Sequence, residues 1–279
     1  MTLSERCYEK VNVNLNPKFQ AALKDKFTDL LMDTVDKVMS CIPHSRPPQS
    51  ILEKTKVIAH RGYCGGGAKE NTLPAFRAAS DAGVWGIELD LRWTSDDVPV
   101  ISHDATPERV FGEPTPIGAM TFNELRSRIQ LIPTLAEVLT EFGGKCHLMI
   151  ELKEALTERH AQVLKELLNR FEPGRDFHLI SLQLEVLLQC TITPRSAMVP
   201  IAEFNASEMS QGALTHRMAG VAGQYLLLTS KSVRAHHQGQ QFVGTGFISS
   251  KNVLYREVNR GIDWIFTNQA REIMSYLQT

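Results

Sequence analysis

VIAHRGYCGGGAKENTLPAF, residues 57–76, runs an apolar β-rich stretch into a His-Arg pair, then three glycines, then the start of a helix. The same order recurs along the chain. HLMIELK leads into a helical pattern from Thr157 to Phe171, DFHLISL into a short helical piece, and SAMVPIAEF, AGQYLLL, QFVGTGF and GIDWIFT follow in turn. Repeated strand and helix alternation predicts a parallel sheet flanked by helices, the α/β class. About 225 residues of this pattern suit a closed (β/α)8 barrel. A doubly wound dinucleotide fold fits less well, because no G-x-G-x-x-G follows the first strand. In a barrel the chemistry sits where strands end, so His60 and Arg61 are expected at the mouth. Cys64-Gly65-Gly66-Gly67 lacks the Lys-Ser/Thr of a phosphate-cradling loop and reads as a flexible turn.

Two further strand ends carry charge. In GIELDLRWT, Glu88 and Asp90 are two residues apart and so project to one side of a strand. TSDDVPVISHD then offers a polar break and a second β-rich run ending in His103 and Asp104. A chain reversal centred between Asp96 and Asp97 sets Asp90 opposite His103, with Cβ atoms about 4.5 to 5.5 Å apart. HLMIELK ends in Glu151 and Lys153, again on one face, where a simple ion pair is one reading and a share in a site at the mouth the other.

The rest of the chain bounds these expectations. Of the 279 residues, 43% are hydrophobic and Lys plus Arg number 30 against 31 Asp plus Glu, so no overall field draws the protein to nucleic acid or anionic lipid. Residues 17–42 place Phe19, Leu23, Phe27, Leu30, Leu31, Val35, Val38 and Ile42 at one-face helical spacing. The balanced charges of this amphipathic helix favour packing on its own barrel or on a sister subunit, a homo-oligomer, over a membrane surface. Pro43, Pro47 and Pro48 mark a linker, giving an N-terminal helical extension over 1–50 and a barrel over 51–279. No signal peptide or transmembrane run is evident, and the five scattered cysteines suit reduced thiols, so a cytoplasmic protein is expected. His236-His237 reads as part of a solvated helix.

Three carboxylates without Cys or His ligand spacing favour one hard divalent cation, Mg²⁺ or Ca²⁺, held by Glu88, Asp90 and Glu151. Such an ion keeps positions open for a phosphate, whose remaining charge Arg61 and Lys153 neutralise. His60 and His103 can then divide the proton work, one taking a proton from the attacking oxygen and one giving a proton to the leaving oxygen. The set suits cleavage of a P–O ester bond.

His60-Arg61-Gly62, Glu70-Asn71-Thr72, Glu88-Leu89-Asp90, His103-Asp104, Ile132-Pro133-Thr134-Leu135 and Glu151-Leu152-Lys153 together resemble the glycerophosphodiester phosphodiesterases. The resemblance covers residues 55–155 well and 225–268 loosely. It implies a TIM barrel with Glu88, Asp90 and Glu151 on Ca²⁺ or Mg²⁺, His60 and His103 as the acid/base pair, and Arg61 and Lys153 on the phosphate. It further implies attack by the glycerol hydroxyl beside the ester, a cyclic phosphate, and release of glycerol 3-phosphate and an alcohol. The chain departs from the family pattern at Lys69, where proline is usual, at Gly244 to Ser250, where Trp-Thr-Val-Asn is common, and at Asn268, where aspartate is usual. Alternatives are a lysophospholipase D or sphingomyelinase D activity on a lipid phosphodiester, and a non-catalytic barrel that binds a phosphorylated ligand.

Overall fold

The structure is a computed structural model that describes residues 34–278. Two compact units divide the chain, residues 1–43 and 44–279. Residues 34–40 of the first are helical; positions 17–33 of the expected amphipathic helix lie outside the described residues. Among the described residues no helix is long and apolar enough to cross a membrane.

The second unit is the expected barrel. Its strands are β1 (Lys56–His60), β2 (Gly86–Trp93), β3 (Pro99–Ile101), β4 (His147–Leu152), β5 (Phe177–Ser181), β6 (Met198–Ala202), β7 (Gly220–Gln224), β8 (Phe242–Gly246) and β9 (Trp264–Thr267). They run in the order β1-β9-β8-β7-β6-β5-β4-β2-β3, and a β1–β2 pairing closes the ring. Among the described residues, eight strands pair in parallel and β3 pairs antiparallel with the C-terminal end of β2, Leu91 to Trp93. The β7 strand ends earlier than AGQYLLL suggests, because Tyr225 to Leu228 form the turn that follows it.

Strand alternation separates two cores. Ile58, Met149, Ile180, Val199, Ala222, Trp264 and Phe266 pack together in one cluster. The alternate positions, among them Val57, Ile87, Leu89 and Ile150, are equally buried, as are apolar positions of the helices such as Ala75, Phe76 and Ala79 of Leu73–Asp81. A satellite core of Val100, Ile117, Met120, Leu125, Ile129 and Ile132 supports the insertion after β2.

The N-terminal end of the barrel holds a histidine and tryptophan layer. His147 Nδ1 donates to the Arg175 carbonyl at 2.9 Å, leaving its Nε2 to accept from His178 Nδ1 at 2.7 Å. Trp85 stacks on His147 with ring centroids 4.1 Å apart, and Trp264 meets His178 edge-on at 5.2 Å. Burial pushes His147 down to about 4, and burial with the charges of His147 and Lys56 pushes His178 to about 3. Below about pH 6.5 the unfolded chain takes up protons that the folded chain refuses, so stability is full above that pH and falls between about 6.5 and 4. Melting curves from about pH 7.5 to about pH 5 should show Tm falling with pH, and the His147→Gln, His178→Gln double variant should flatten that slope. An unchanged slope in the variant would show that these rings do not set it.

His236 departs from expectation. It is fully buried, with Nδ1 2.7 Å from Gln241 Oε1 and Nε2 2.8 Å from Ser210 Oγ, whereas His237 is exposed and pairs with Asp263. Adjacent helical positions point about 100° apart, so one faces the barrel and the other water.

Candidate active site

Strand register gathers the site. On adjacent strands His60 pairs with Glu88 and Asp90 with Glu151, at the C-terminal ends of β1, β2 and β4. One carboxylate oxygen from each of Glu88, Asp90 and Glu151 lies within 4.8 Å of the others, and all three residues are buried. Oxygens on opposite sides of a Mg²⁺ or Ca²⁺ ion stand about 4 to 5 Å apart, so the triad can hold a metal.

Its electrostatics argue the same way. Lys153 Nζ lies 2.6 Å from Asp90 Oδ1 and 2.7 Å from Glu151 Oε1, and Arg61 Nε lies 3.2 Å from Asp90 Oδ2. Burial works against Asp90 ionising, but Lys153, Arg61 and His103 outweigh it and hold this carboxyl well below its usual range. Burial, with the charges of Asp90 and Glu151, pushes Glu88 well above its usual range, and burial lifts Glu151 to about 7 despite Lys153. Two cations against three buried carboxylates leave one negative charge unbalanced. Glu88 Oε1 is buried and finds no hydrogen-bond partner among the described residues. A divalent cation answers both deficits, and the all-oxygen donor set suits a hard one.

The turn after β1 explains several residues at once. Arg61 adopts φ 54°, an uncommon left-handed backbone for a side chain of its size, and its N–H donates to Glu88 Oε2 at 3.0 Å. Gly62 follows at φ 84°, and a Cβ there would lie 2.8 Å from the Ala75 carbonyl carbon, so only glycine lets the helix Leu73–Asp81 approach. Glu70 Oε1 accepts from Arg61 at 3.1 Å, and Asn71 Nδ2 donates to Asp90 Oδ2 at 2.7 Å. Thr72 caps the helix through Ala75 N. Glu70-Asn71-Thr72 therefore sets the arginine, the aspartate and the helix in turn. The triglycine segment forms a short 3₁₀ turn with Gly66 and Gly67 at positive φ.

The histidines have different partners. His60 Nδ1 donates to Asn268 Oδ1 at 2.8 Å, its Nε2 stands 3.8 Å from Glu88 Oε2, and its ring meets Phe247 at 4.4 Å. Burial and then Arg61 lower His60 to about 4, against the opposing pull of Asn268 and Asp90. His103 Nδ1 donates to Asp104 Oδ1 at 2.7 Å, while two bonds from Arg92 hold its carbonyl. Burial lowers His103 as well, against the pull of Asp90.

The hairpin carrying His103 needs a correction. Leu91 faces Ile101, so the residue opposite Asp90 is Ser102, whose N–H donates to the Asp90 carbonyl at 2.9 Å. The loop has three residues, 95–97: Asp97 N donates to Thr94 O, Thr94 N donates to Val98 O, and Asp97 sits at φ 61°. One extra loop residue shifts the register by one position. His103 stays within electrostatic reach of Asp90, Lys153 and Arg61.

Every site residue expected from sequence thus lies at one barrel mouth. Lys153 sits between two carboxylates, and Arg61 is shared by Asp90 and Glu70. The supporting contacts of Glu70, Asn71, Asp104 and Asn268 were not legible; only the motif neighbours of the first three hinted at them.

The chain is similar to known proteins. Glycerophosphodiester phosphodiesterase 1 of Rattus norvegicus is 37% identical over 115 residues, a match covering 36% of this chain and 34% of that protein. The chain therefore spans about a third of the length of the curated relatives it matches in this way. A glycerophosphodiester phosphodiesterase of Bacillus altitudinis is 27% identical over 238 residues, covering 77% of this chain and 94% of that one. An Oleispira antarctica phosphodiesterase structure, in complex with the product sn-glycerol-3-phosphate, superposes with a TM-score of 0.70 at 24% identity, over 81% of this chain and 98% of that one. Residues 60–270 match the profile of the Glycerophosphoryl diester phosphodiesterase family, and the chain belongs to that family.

Proposed function

We propose that the protein is a metal-dependent phosphodiesterase that cleaves glycerophosphodiesters to glycerol 3-phosphate and an alcohol. The observation that carries this reading is the meeting of three buried carboxylates within 4.8 Å beside two histidines and two cations at the C-terminal end of a barrel. Glu88, Asp90 and Glu151 would hold Mg²⁺ or Ca²⁺. The bound ion supplies positive charge for a phosphate oxygen. Arg61 presents its guanidinium to the same phosphate, and Lys153 offsets the charge of Asp90 and Glu151 as well as that of the substrate.

The partners of the histidines divide the proton work. Asn268 is neutral, so His60 stays an uncharged ring with Nδ1–H fixed and Nε2 free to accept. It takes the proton of the glycerol hydroxyl beside the ester as that oxygen bonds to phosphorus. Asp104 is an anion, so His103 is the ring better able to carry a proton, which it gives to the departing alcohol as the P–O bond breaks. Water then opens the cyclic phosphate with the two roles exchanged.

A second reading has its own support. Phe204, Leu226 and Phe247 are exposed on the segments following β6, β7 and β8, an apolar side of the mouth that fits the acyl chain of a lysophospholipid. Glycerol 3-phosphate release from glycerophosphocholine, measured beside lysophosphatidic acid release from lysophosphatidylcholine, separates the two. We expect the first activity, lost with EDTA and restored by Mg²⁺ or Ca²⁺. Cleavage of the lipid alone would transfer the assignment to the second reading, and cleavage of neither would favour a binding barrel.

A further inference from the structure

Arg109 has no role in that scheme, yet it touches both halves of it. It lies on the short helix Glu108–Phe111 with its side chain about half exposed. Its guanidinium spans two carboxylates: Nε donates to Asp104 Oδ2 at 2.7 Å, and the two terminal nitrogens donate to Glu70 at 2.6 and 3.2 Å. Each carboxylate has a second bond into the site. Asp104 Oδ1 accepts from His103 Nδ1 at 2.7 Å, and Glu70 Oε1 accepts from Arg61 at 3.1 Å. Lys69 fastens the same helix, donating to the Val110 carbonyl at 2.8 Å with its ammonium 4.6 Å from the centre of the Phe111 ring.

We propose that Arg109 is a positioning residue for phosphodiester cleavage, acting through Asp104 to fix the ring of His103. A lone aspartate can rotate and still accept from an imidazole, so it sets the ring loosely. A guanidinium on its other oxygen, itself anchored by Glu70, locks the carboxylate plane and with it the imidazole orientation and tautomer. The planar fork is required, because a lysine can reach only one of the two carboxylates at a time. The inference rests on the reading of His103 as an acid/base residue.

Steady-state kinetics on glycerophosphocholine with the full chain test it, using Arg109→Gln, Arg109→Lys, His103→Ala and the Arg109→Gln, His103→Ala pair. Arg109→Gln should lower kcat about 10- to 100-fold with a smaller change in KM, the scale expected when a reacting group is misplaced. Arg109→Lys should recover only part of this, and being charged it covers the case in which the glutamine variant folds poorly. The decisive result is the pair: if Arg109 acts through His103, the double variant is no slower than His103→Ala alone. Losses that multiply in the pair, or a wild-type kcat in Arg109→Gln, overturn the proposal while leaving the role of His103 intact. Wild-type turnover in His103→Ala overturns instead the reading beneath it.

Discussion

Replacing Glu88 with glutamine is expected to lower kcat/KM on glycerophosphodiesters by about 10³-fold or more while leaving the metal-free fold at least as stable. The rate loss follows from taking one of three ligands from the ion that neutralises the phosphate, about 4 kcal/mol of transition-state stabilisation. The stability half follows from the burial and like charges that already push this carboxyl toward its neutral form. Glutamine has the shape of that neutral form and still offers an oxygen to the Arg61 N–H, the bond Glu88 accepts at 3.0 Å. Melting curves check it directly: added Mg²⁺ or Ca²⁺ should raise Tm for the wild type and not for Glu88→Gln. A variant that melts much lower without metal would mean that the glutamate is structural.

His60→Ala and His103→Ala should each lower kcat by about 10² to 10⁴-fold, the range for removal of a general acid or base. The two losses should not multiply, because base and acid act in the same displacement step, so little of the pathway survives when either is missing. Rates within tenfold of wild type in both variants would place the proton transfers elsewhere.

The fold was legible because a parallel barrel writes itself as apolar β-runs alternating with helical stretches, and VIAH, GIELDL, HLMIEL and the WIFT of GIDWIFT each became part of a strand. The carboxylate triad was legible because residues two apart share a strand face, which Glu88 and Asp90 show without any tertiary information. What failed was what depends on a single backbone angle or on contacts across the chain. Asp97 in the left-handed region adds one loop residue and replaces His103 by Ser102 opposite Asp90, and no Asn-Gly pair marks that choice. Asn268 lies 208 positions from His60, and Arg109 lies 39 from Glu70, so neither partnership leaves a local pattern. His236 went unread as a buried residue because its partners Gln241 and Ser210 come from a turn and another helix.

The most direct measurement is a crystal structure of the protein grown with Mn²⁺, collected at a wavelength where that ion scatters anomalously. One anomalous peak bonded to carboxylate oxygens of Glu88, Asp90 and Glu151 together, at about 2.0 to 2.6 Å, is the expected result. A structure in which the ion binds elsewhere, or in which Lys153 keeps its place between Asp90 and Glu151 and no ion enters at saturating concentration, would contradict it.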